Sequence, residues 1–230
     1  FEAFTQFAQQ RDFLFSWQDQ HSEIFSGLIN SAILNRIDEN IALPGEHNKR
    51  NATLVLETLD YLQEVQDFNF GDKYYERAVA ALNNFPGTDR RFEKITDGIF
   101  SDYGHHPAEI KATLQMAQEI AKRDNYAGVA LVYQPHQNVR QVEIQDEYTP
   151  ELFSDADKVI WLPTYLSRED QALEILKPEL LARKIDTEKI NYGYLNDDLK
   201  HKITERRAKN YLVLAMNAGT LDGLLRDNLA

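Results

Sequence analysis

Gly128-Val129-Ala130-Leu131-Val132-Tyr133 is an almost unbroken apolar run that leads straight into Gln134-Pro135-His136-Gln137-Asn138-Val139-Arg140. A strand covered on both faces reads this way, because neither side of its pleat meets water. Leu212-Val213-Leu214-Ala215 repeats the pattern and is followed by Asn217-Ala218-Gly219-Thr220. Two such runs, far apart in the chain, predict central strands of a parallel sheet with helices on both faces.

Further strands are expected at Phe92–Ile95, Ile99–Ser101 and Lys158–Leu162, with Gly128–Tyr133 and Tyr211–Met216 as the two central ones. Helical periodicity covers Pro107–Arg123, Glu169–Leu176, Pro178–Lys184, Asp198–Ala208 and Leu221–Asn228. Strands separated by helices imply right-handed crossovers and a doubly wound sheet. The fold class expected for residues 86–230 is therefore α/β, Rossmann-like, with a mostly parallel sheet.

The breaker cluster Asn83-Asn84-Phe85-Pro86-Gly87 marks a domain boundary, leaving residues 1–85 as a separate block. That block opens with a mixed stretch holding Phe4, Phe7, Phe13, Phe15 and Trp17, which the pattern does not assign. A strand is expected over Ile33–Leu43. After Pro44-Gly45-Glu46-His47-Asn48, one amphipathic helix is expected from Asn51, with Leu54, Val55, Leu59, Leu62 and Val65 at helical spacing. A second is expected over Tyr74–Leu82, with Tyr75, Val79 and Leu82 on one face.

The loops that follow the strands carry the chemistry. They are Asp102-Tyr103-Gly104-His105-His106-Pro107, the Gln134 to Arg140 segment, Pro163-Thr164-Tyr165 and Asn217-Ala218-Gly219-Thr220. In a parallel sheet all four fall along the carboxyl edge, where ligands of such folds bind. Of the six histidines, His47, His105, His106 and His136 lie in loops of this kind, whereas His21 and His201 do not. That clustering favours a site over scattered surface histidines. A zinc site at His105-His106 is disfavoured, because adjacent side chains point apart and no further ligand stands at suitable spacing.

Composition narrows the function classes. The formal net charge of −12 argues against a nucleic-acid face, which needs clustered Lys and Arg. The absence of cysteine excludes disulfides and thiolate metal sites and fits the cytoplasm. No run of 18 apolar residues or secretory leader is seen, so no membrane association is expected. The chain opens on Phe1 rather than Met, from which it is expected to be part of something longer.

Four motifs, in order and in register, resemble the Mur ligase family. Gly45-Glu46-His47-Asn48-Lys49-Arg50-Asn51 is similar to its G-x-H-N-x-x-N signature, and Gly87 to Glu93, with Arg90-Arg91, is similar to its arginine linker. Asp102 to Pro107 resembles D-Y-G-H-H-P, the form of the branch that adds L-alanine to UDP-N-acetylmuramate. Gln134-Pro135-His136 with Arg140 resembles that branch's Q-P-H-R-x-x-R. Together the motifs span residues 45–140.

The resemblance implies an ATP-dependent amide-bond ligase of peptidoglycan precursor synthesis, with ATP and Mg2+ as cofactors. ATP would phosphorylate the lactyl carboxylate of UDP-N-acetylmuramate, and the amino group of L-alanine would attack the acyl phosphate. Residues 1–85 would be the end of the central ATPase domain and 86–230 the whole C-terminal domain. By the same resemblance, ATP would be met by His47, Asn48, Asn51, Arg91 and Asp102, and the amino acid by Tyr103, His105, His136 and Arg140.

The residue chemistry is compatible with those roles. Asn48 and Asn51 lie one helical turn apart, suited to reading an adenine edge or to capping the helix. Arg91 offers a planar fork for phosphate oxygens, and Arg140 could hold a carboxylate bidentately. His106 is expected to support the loop by hydrogen bonding. Catalytic residues and metal ligands are expected outside this segment.

Two departures stand out. Gln137 takes the place of the branch's first arginine after Gln-Pro-His, removing a positive charge from the expected carboxylate pocket. No G-x-x-x-x-G-K-[ST] loop occurs either, so these residues alone are expected to be inactive. Two other readings remain: a recycling ligase of the same family that attaches a whole peptide, whose loop is closer to F-A-H-H-P, and a non-catalytic Mur-like domain that binds a nucleotide or a partner. Neither the amino acid joined nor the oligomeric state is fixed by sequence.

Overall fold

The computed structural model describes residues 2–19, 30–169, 174–185 and 188–229. The chain divides into two compact units, Phe1–Phe85 and Pro86–Ala230, and each is described by itself.

In the first unit, α1 (Glu2–Gln9) precedes β1 (Leu14–Trp17), which pairs in parallel with β2 (Ser31–Leu34). The strand expected over Ile33–Leu43 stops at Leu34. The chain then turns at Asp38, whose Oδ1 accepts the Asn40 N–H at 2.8 Å in an Asx turn. α2 (Glu46–Glu64) begins well before Asn51, directly after Gly45, which supplies the positive φ of 80° at the N-cap. Its buried face runs through Ala52, Thr53 and Leu56, while Val55 and Val65 of the expected stripe are exposed. Thr53 escaped the apolar pattern because its hydroxyl is satisfied. It donates to the Lys49 carbonyl at 2.9 Å and accepts the Asp38 N–H at 3.0 Å. α3 (Tyr74–Asn83) packs Tyr75, Ala78, Val79 and Leu82 against Ile41, Ala52 and Leu56.

The second unit is α/β, built on a six-stranded, mostly parallel sheet of order β3-β4-β8-β5-β6-β7. Its strands are β3 (Glu93–Thr96), β4 (Ile99–Asp102), β5 (Gly128–Gln134), β6 (Lys158–Trp161), β7 (Ile190–Tyr192) and β8 (Tyr211–Asn217). Only the β3–β4 hairpin is antiparallel, turning at Gly98 with φ 66°. The helices are α4 (Pro107–Arg123), α5 (Asn138–Ile144), α6 (Pro178–Leu181), α7 (Asp197–Ala208) and α8 (Leu221–Leu229).

Both faces of β5 and β8 are buried, as their apolar runs require. On one face Val129, Leu131, Leu212 and Leu214 pack with Ile110, Leu114 and Ala117 of α4. On the other, Ala130, Val132, Val213 and Ala215 pack with Leu199 and Ile203 of α7 and Leu221 and Leu225 of α8. Each Val, Leu or Ile among them contributes about 1.5–3 kcal/mol on full burial, and each Ala less.

One helix expectation is met in shortened form and one is corrected. Pro178–Lys184 is a short α-turn, α6, continued by a 3-10 turn over Ala182–Lys184. Of the helix expected over Glu169–Leu176, residues 170–173 lie outside the described residues, and Glu169 and residues 174–176 are not helical. Instead, the main chain at 174–176 is held by Asn138, whose Nδ2 donates to the Glu174 carbonyl and whose Oδ1 accepts the Leu176 N–H. β7 and α5 were not foreseen, being too short to show a period. Among the described residues no helix is long and apolar enough to cross a membrane.

The parallel register sets the carboxyl ends side by side. Asp102 pairs with Met216, Gln134 with Asn217, and Tyr133 with Trp161.

Candidate functional site

The loop after β4 is built around Asp102. Its Oδ1 accepts the Gly104 N–H at 2.7 Å and its Oδ2 the Phe92 N–H at 2.9 Å. Burial pushes the carboxyl above its ordinary value, and the two N–H groups and the Arg91 charge only partly offset this. Gly104 is required there, since a Cβ would sit 2.7 Å from Asp102 Oδ1. α4 then begins with a capping box. The His106 ring accepts the Ala108 N–H at 3.4 Å, and Glu109 accepts the N–H groups of His105 and His106 at 3.0 and 3.1 Å. Pro107 at the first helical position loses no hydrogen bond.

Above that cap, Tyr103 is half-buried, with the Arg90 guanidinium 4.8 Å and the Arg91 guanidinium 5.9 Å from its ring centre. His105 is buried and faces in two directions. Its Nδ1 lies 3.0 Å from the Tyr103 carbonyl oxygen, and its Nε2 is hydrogen-bonded to Nη1 of Arg140. Its ring centre is 5.7 Å from Tyr103 and 5.2 Å from His136.

The loop after β5 supplies His136 and, through α5, Arg140. His136 stacks on Tyr165 at 5.8 Å with an interplanar angle of 13°. The two backbones bridge as well: Tyr165 N–H donates to the Pro135 carbonyl at 2.8 Å, and Gln137 N–H to the Tyr165 carbonyl at 2.9 Å. Burial first, and then the neighbouring His105 and Arg140 side chains, lower the His136 pKa against an opposing pull from Glu169. His136 is therefore neutral near pH 7. Gln137 holds φ 60° and ψ 121° ahead of α5, a conformation L-residues rarely adopt. Glu169 closes the far side, accepting the N–H groups of Asn138 and Val139, each at 2.7 Å.

Beneath both loops runs a buried polar chain. Tyr133 Oη donates toward the His105 carbonyl at 3.2 Å and lies 2.8 Å from Tyr148 Oη. Tyr148 donates to Gln141 Oε1, and Gln141 Nε2 donates to the His136 carbonyl at 2.9 Å. The chain ties the two histidine loops together from below.

Of the residues singled out from sequence, the structure brings Tyr103, His105, His136 and Arg140 into one cluster at the carboxyl edge. Asp102 adjoins it in the chain but turns both oxygens onto backbone. Arg91 is exposed; its neighbour Arg90 reaches inward, donating to the Asn217 carbonyl at 2.8 Å. His47, Asn48 and Asn51 lie in the first unit at the start of α2. There Asn48 Nδ2 donates to the Pro44 carbonyl at 3.0 Å and Asn51 is exposed. Sequence reasoning did not single out Arg90, Tyr133, Gln141, Tyr148 or Tyr165 as supports. The signal for Tyr133 was present, because a phenol ending a fully buried strand needs a partner. Among the described residues no three His, Asp or Glu side chains come together to hold a metal ion.

Among curated proteins, the chain is 37% identical over 149 residues to the UDP-N-acetylmuramate–L-alanine ligase of Koribacter versatilis, covering 63% of this chain and 29% of that one. It is 31% identical over 186 residues to the enzyme of the same name from Acidobacterium capsulatum, covering 79% and 37%. The chain is a relative of the Mur ligases. A third ligase of that name, from Rickettsia canadensis, is 28% identical over 208 residues, 87% of this chain and 41% of that one. The chain thus spans well under half the length of these curated relatives. No protein-family model matches it. Two solved Mur ligase structures share its fold. A murein peptide ligase from Psychrobacter arcticus aligns with a TM-score of 0.56 at 21% identity, over 94% of this chain and 45% of that one. The UDP-N-acetylmuramoylalanyl-D-glutamyl-2,6-diaminopimelate–D-alanyl-D-alanyl ligase from Acinetobacter baumannii aligns with a TM-score of 0.59 at 14% identity, over 93% and 50%.

Proposed function

We propose that this chain is part of an ATP-dependent ligase that joins L-alanine to UDP-N-acetylmuramate in peptidoglycan precursor synthesis. The observation that carries the reading is the meeting of Tyr103, His105, His136 and Arg140, from two separate strand-end segments, in one cluster. Names of relatives at 28–37% identity support the same reaction class.

Arg140 is the group that binds the amino-acid carboxylate. A guanidinium fork matches two carboxylate oxygens, and partial burial strengthens the pair. Tyr103 and His136 border it through their ring contacts with His105. Of the nucleotide-contacting residues implied by the family resemblance, His47, Asn48 and the exposed Asn51 lie at the start of α2, and the exposed Arg91 precedes β3. Asp102 has about four acceptor positions as a carboxylate, of which two are taken, so a ribose hydroxyl can still be met. ATP, when bound, supplies the phosphoryl group that activates the lactyl carboxylate as an acyl phosphate. Magnesium finds no cluster of three His, Asp or Glu ligands among the described residues.

The test is a ligase assay on the full-length protein with UDP-N-acetylmuramate, ATP and a panel of amino acids. Phosphate release dependent on all three, with alanine preferred over serine and glycine, is the expected result. A full-length protein that forms no amide bond with any of them overturns the proposal. The 230 residues alone, which lack a phosphate-cradling loop with its lysine, should give no turnover.

A further inference from the structure

We infer that His105 neither contacts substrate nor transfers protons: it is a tautomer-locked positioning residue that aims Arg140. The inference rests on the reading of Arg140 as the carboxylate-binding group.

The hydrogen bonds of His105 leave one protonation state. Arginine has five N–H donors and no acceptor, and it stays charged at all ordinary pH. Its bond to His105 therefore requires a lone pair on Nε2. A backbone carbonyl has only acceptor capacity, so the contact of Nδ1 with the Tyr103 oxygen at 3.0 Å requires a proton on Nδ1. Both contacts select the same form, the neutral Nδ1–H imidazole. Such an arrangement, in which one ring nitrogen is fixed by a carbonyl so that the other presents a lone pair, is how proteins orient imidazoles toward cations.

The ring cannot easily turn away from this task. His105 is 8% exposed, wedged between the Tyr103 and His136 rings. Its own N–H is held by Glu109 at 3.0 Å, and its carbonyl accepts from Tyr133 at 3.2 Å. Every backbone and ring polar group of His105 is thus committed, and the one bond that leaves its own loop from the ring goes to Arg140. A flipped ring would set C–H groups against the guanidinium and the carbonyl, and the Nε2–H tautomer would set an N–H against the guanidinium and a lone pair against the carbonyl; either loses both bonds. With one Arg140 N–H directed to His105, the remaining four donors keep a defined orientation, and the long side chain is ordered before a carboxylate arrives. Binding then costs less rotamer entropy.

Two measurements test this, and they fail separately. The first is nitrogen-15 NMR of histidine-labelled protein near pH 7.5. His105 is expected with Nδ1 protonated and Nε2 bare, and in Arg140→Ala that preference should weaken while the Tyr103 contact persists. An Nε2–H tautomer overturns the inference whatever the substrate. The second compares variants of the full-length ligase. His105→Phe keeps the ring shape without the acceptor, and should raise KM for the amino acid roughly tenfold, the scale of one charge-assisted bond, with KM for ATP unchanged. His105→Gln, whose side-chain carbonyl can accept from Arg140, should recover most of that loss. Equal KM increases for both substrates, or a Gln variant as impaired as Phe, overturn the positioning role. If Arg140→Ala itself leaves amino-acid KM unchanged while the tautomer is as expected, the carboxylate-binding reading fails and the tautomer lock stands.

Discussion

The hydroxyls of Tyr133 and Tyr148 lie 2.8 Å apart at a fully buried position between the two histidine loops. Because the Tyr148 proton goes to Gln141, the Tyr133 proton is shared between Tyr148 and the His105 carbonyl. Burial, with the neighbouring hydroxyl, pushes the Tyr133 pKa far above the ordinary phenol value, so the chain stays neutral at any working pH. Tyr148→Phe removes the donor to Gln141 and leaves a buried acceptor unpaired. It should cost about 1–3 kcal/mol, read from urea unfolding of the 230-residue chain. An unchanged midpoint and slope would show that the chain of hydroxyls contributes nothing.

Gly219 abuts the ring that supports His136. A Cβ there would lie 2.6 Å from Tyr165 Cγ and 2.8 Å from Gln134 Oε1. Gly219→Ala should therefore displace Tyr165, at a cost of about 1–3 kcal/mol typical of overpacking. Relieved of part of its burial, His136 should titrate closer to the ordinary 6.5, a rise measurable by proton NMR. A destabilised variant with an unmoved His136 titration would separate Tyr165 from His136.

Asp102→Ala should leave the N–H groups of Phe92 and Gly104 without their acceptor, at about 2 kcal/mol or more. Asp102→Asn, which retains one carbonyl oxygen, should lose less. The carboxyl titrates above 3.8 in the folded chain, so folding takes up a proton there. Wild-type stability accordingly gains an increment as pH falls through the folded value toward 3.8, and the Asn variant lacks it. Parallel stability–pH curves for the two proteins would contradict the assignment.

Glu109 works in the opposite sense. Burial alone would raise its pKa, but the His105 and His106 N–H groups and the Arg91 charge hold it below 4.5. A depressed folded pKa contributes stability that is present above 4.5 and lost as pH falls through the folded value. Glu109→Ala should cost about 1 kcal/mol at pH 7, the scale of a helix cap. The difference from wild type should shrink at more acid pH. A gap that is constant from pH 7 to acid would mean the capping carboxylate carries no charge-dependent part.

Much of this was legible in local pattern. The apolar runs at Val129–Val132 and Leu212–Ala215 announced central strands, since only a strand buried on both faces omits polar residues altogether. Pro107 and the residues before it announced the start of α4, because a cap is a short-range device. The stripe on α2 was misread because Thr53 is buried with its hydroxyl satisfied, which hydropathy does not register. α5 and β7 escaped notice because seven and three residues hold too few periods. Tyr148 and Gln141 could not be linked to the histidine loops, since they meet them only through space.

The sequence by itself determined an α/β sheet with its polar loops at the carboxyl ends, and four motifs in the order of the Mur ligases. Alternating period and loop composition are local, so a one-dimensional string records them. The tertiary structure alone decided which of those residues meet. It turned Asp102 inward onto backbone, drew Arg90 rather than Arg91 into the fold, and set His105 between Tyr103 and Arg140. The reason is that hydrogen bonds to the His105 ring come from residues two and thirty-five positions away. Only the packing of β4 and β5 on either side of β8 fixes the second of these, and with it the proton on the ring.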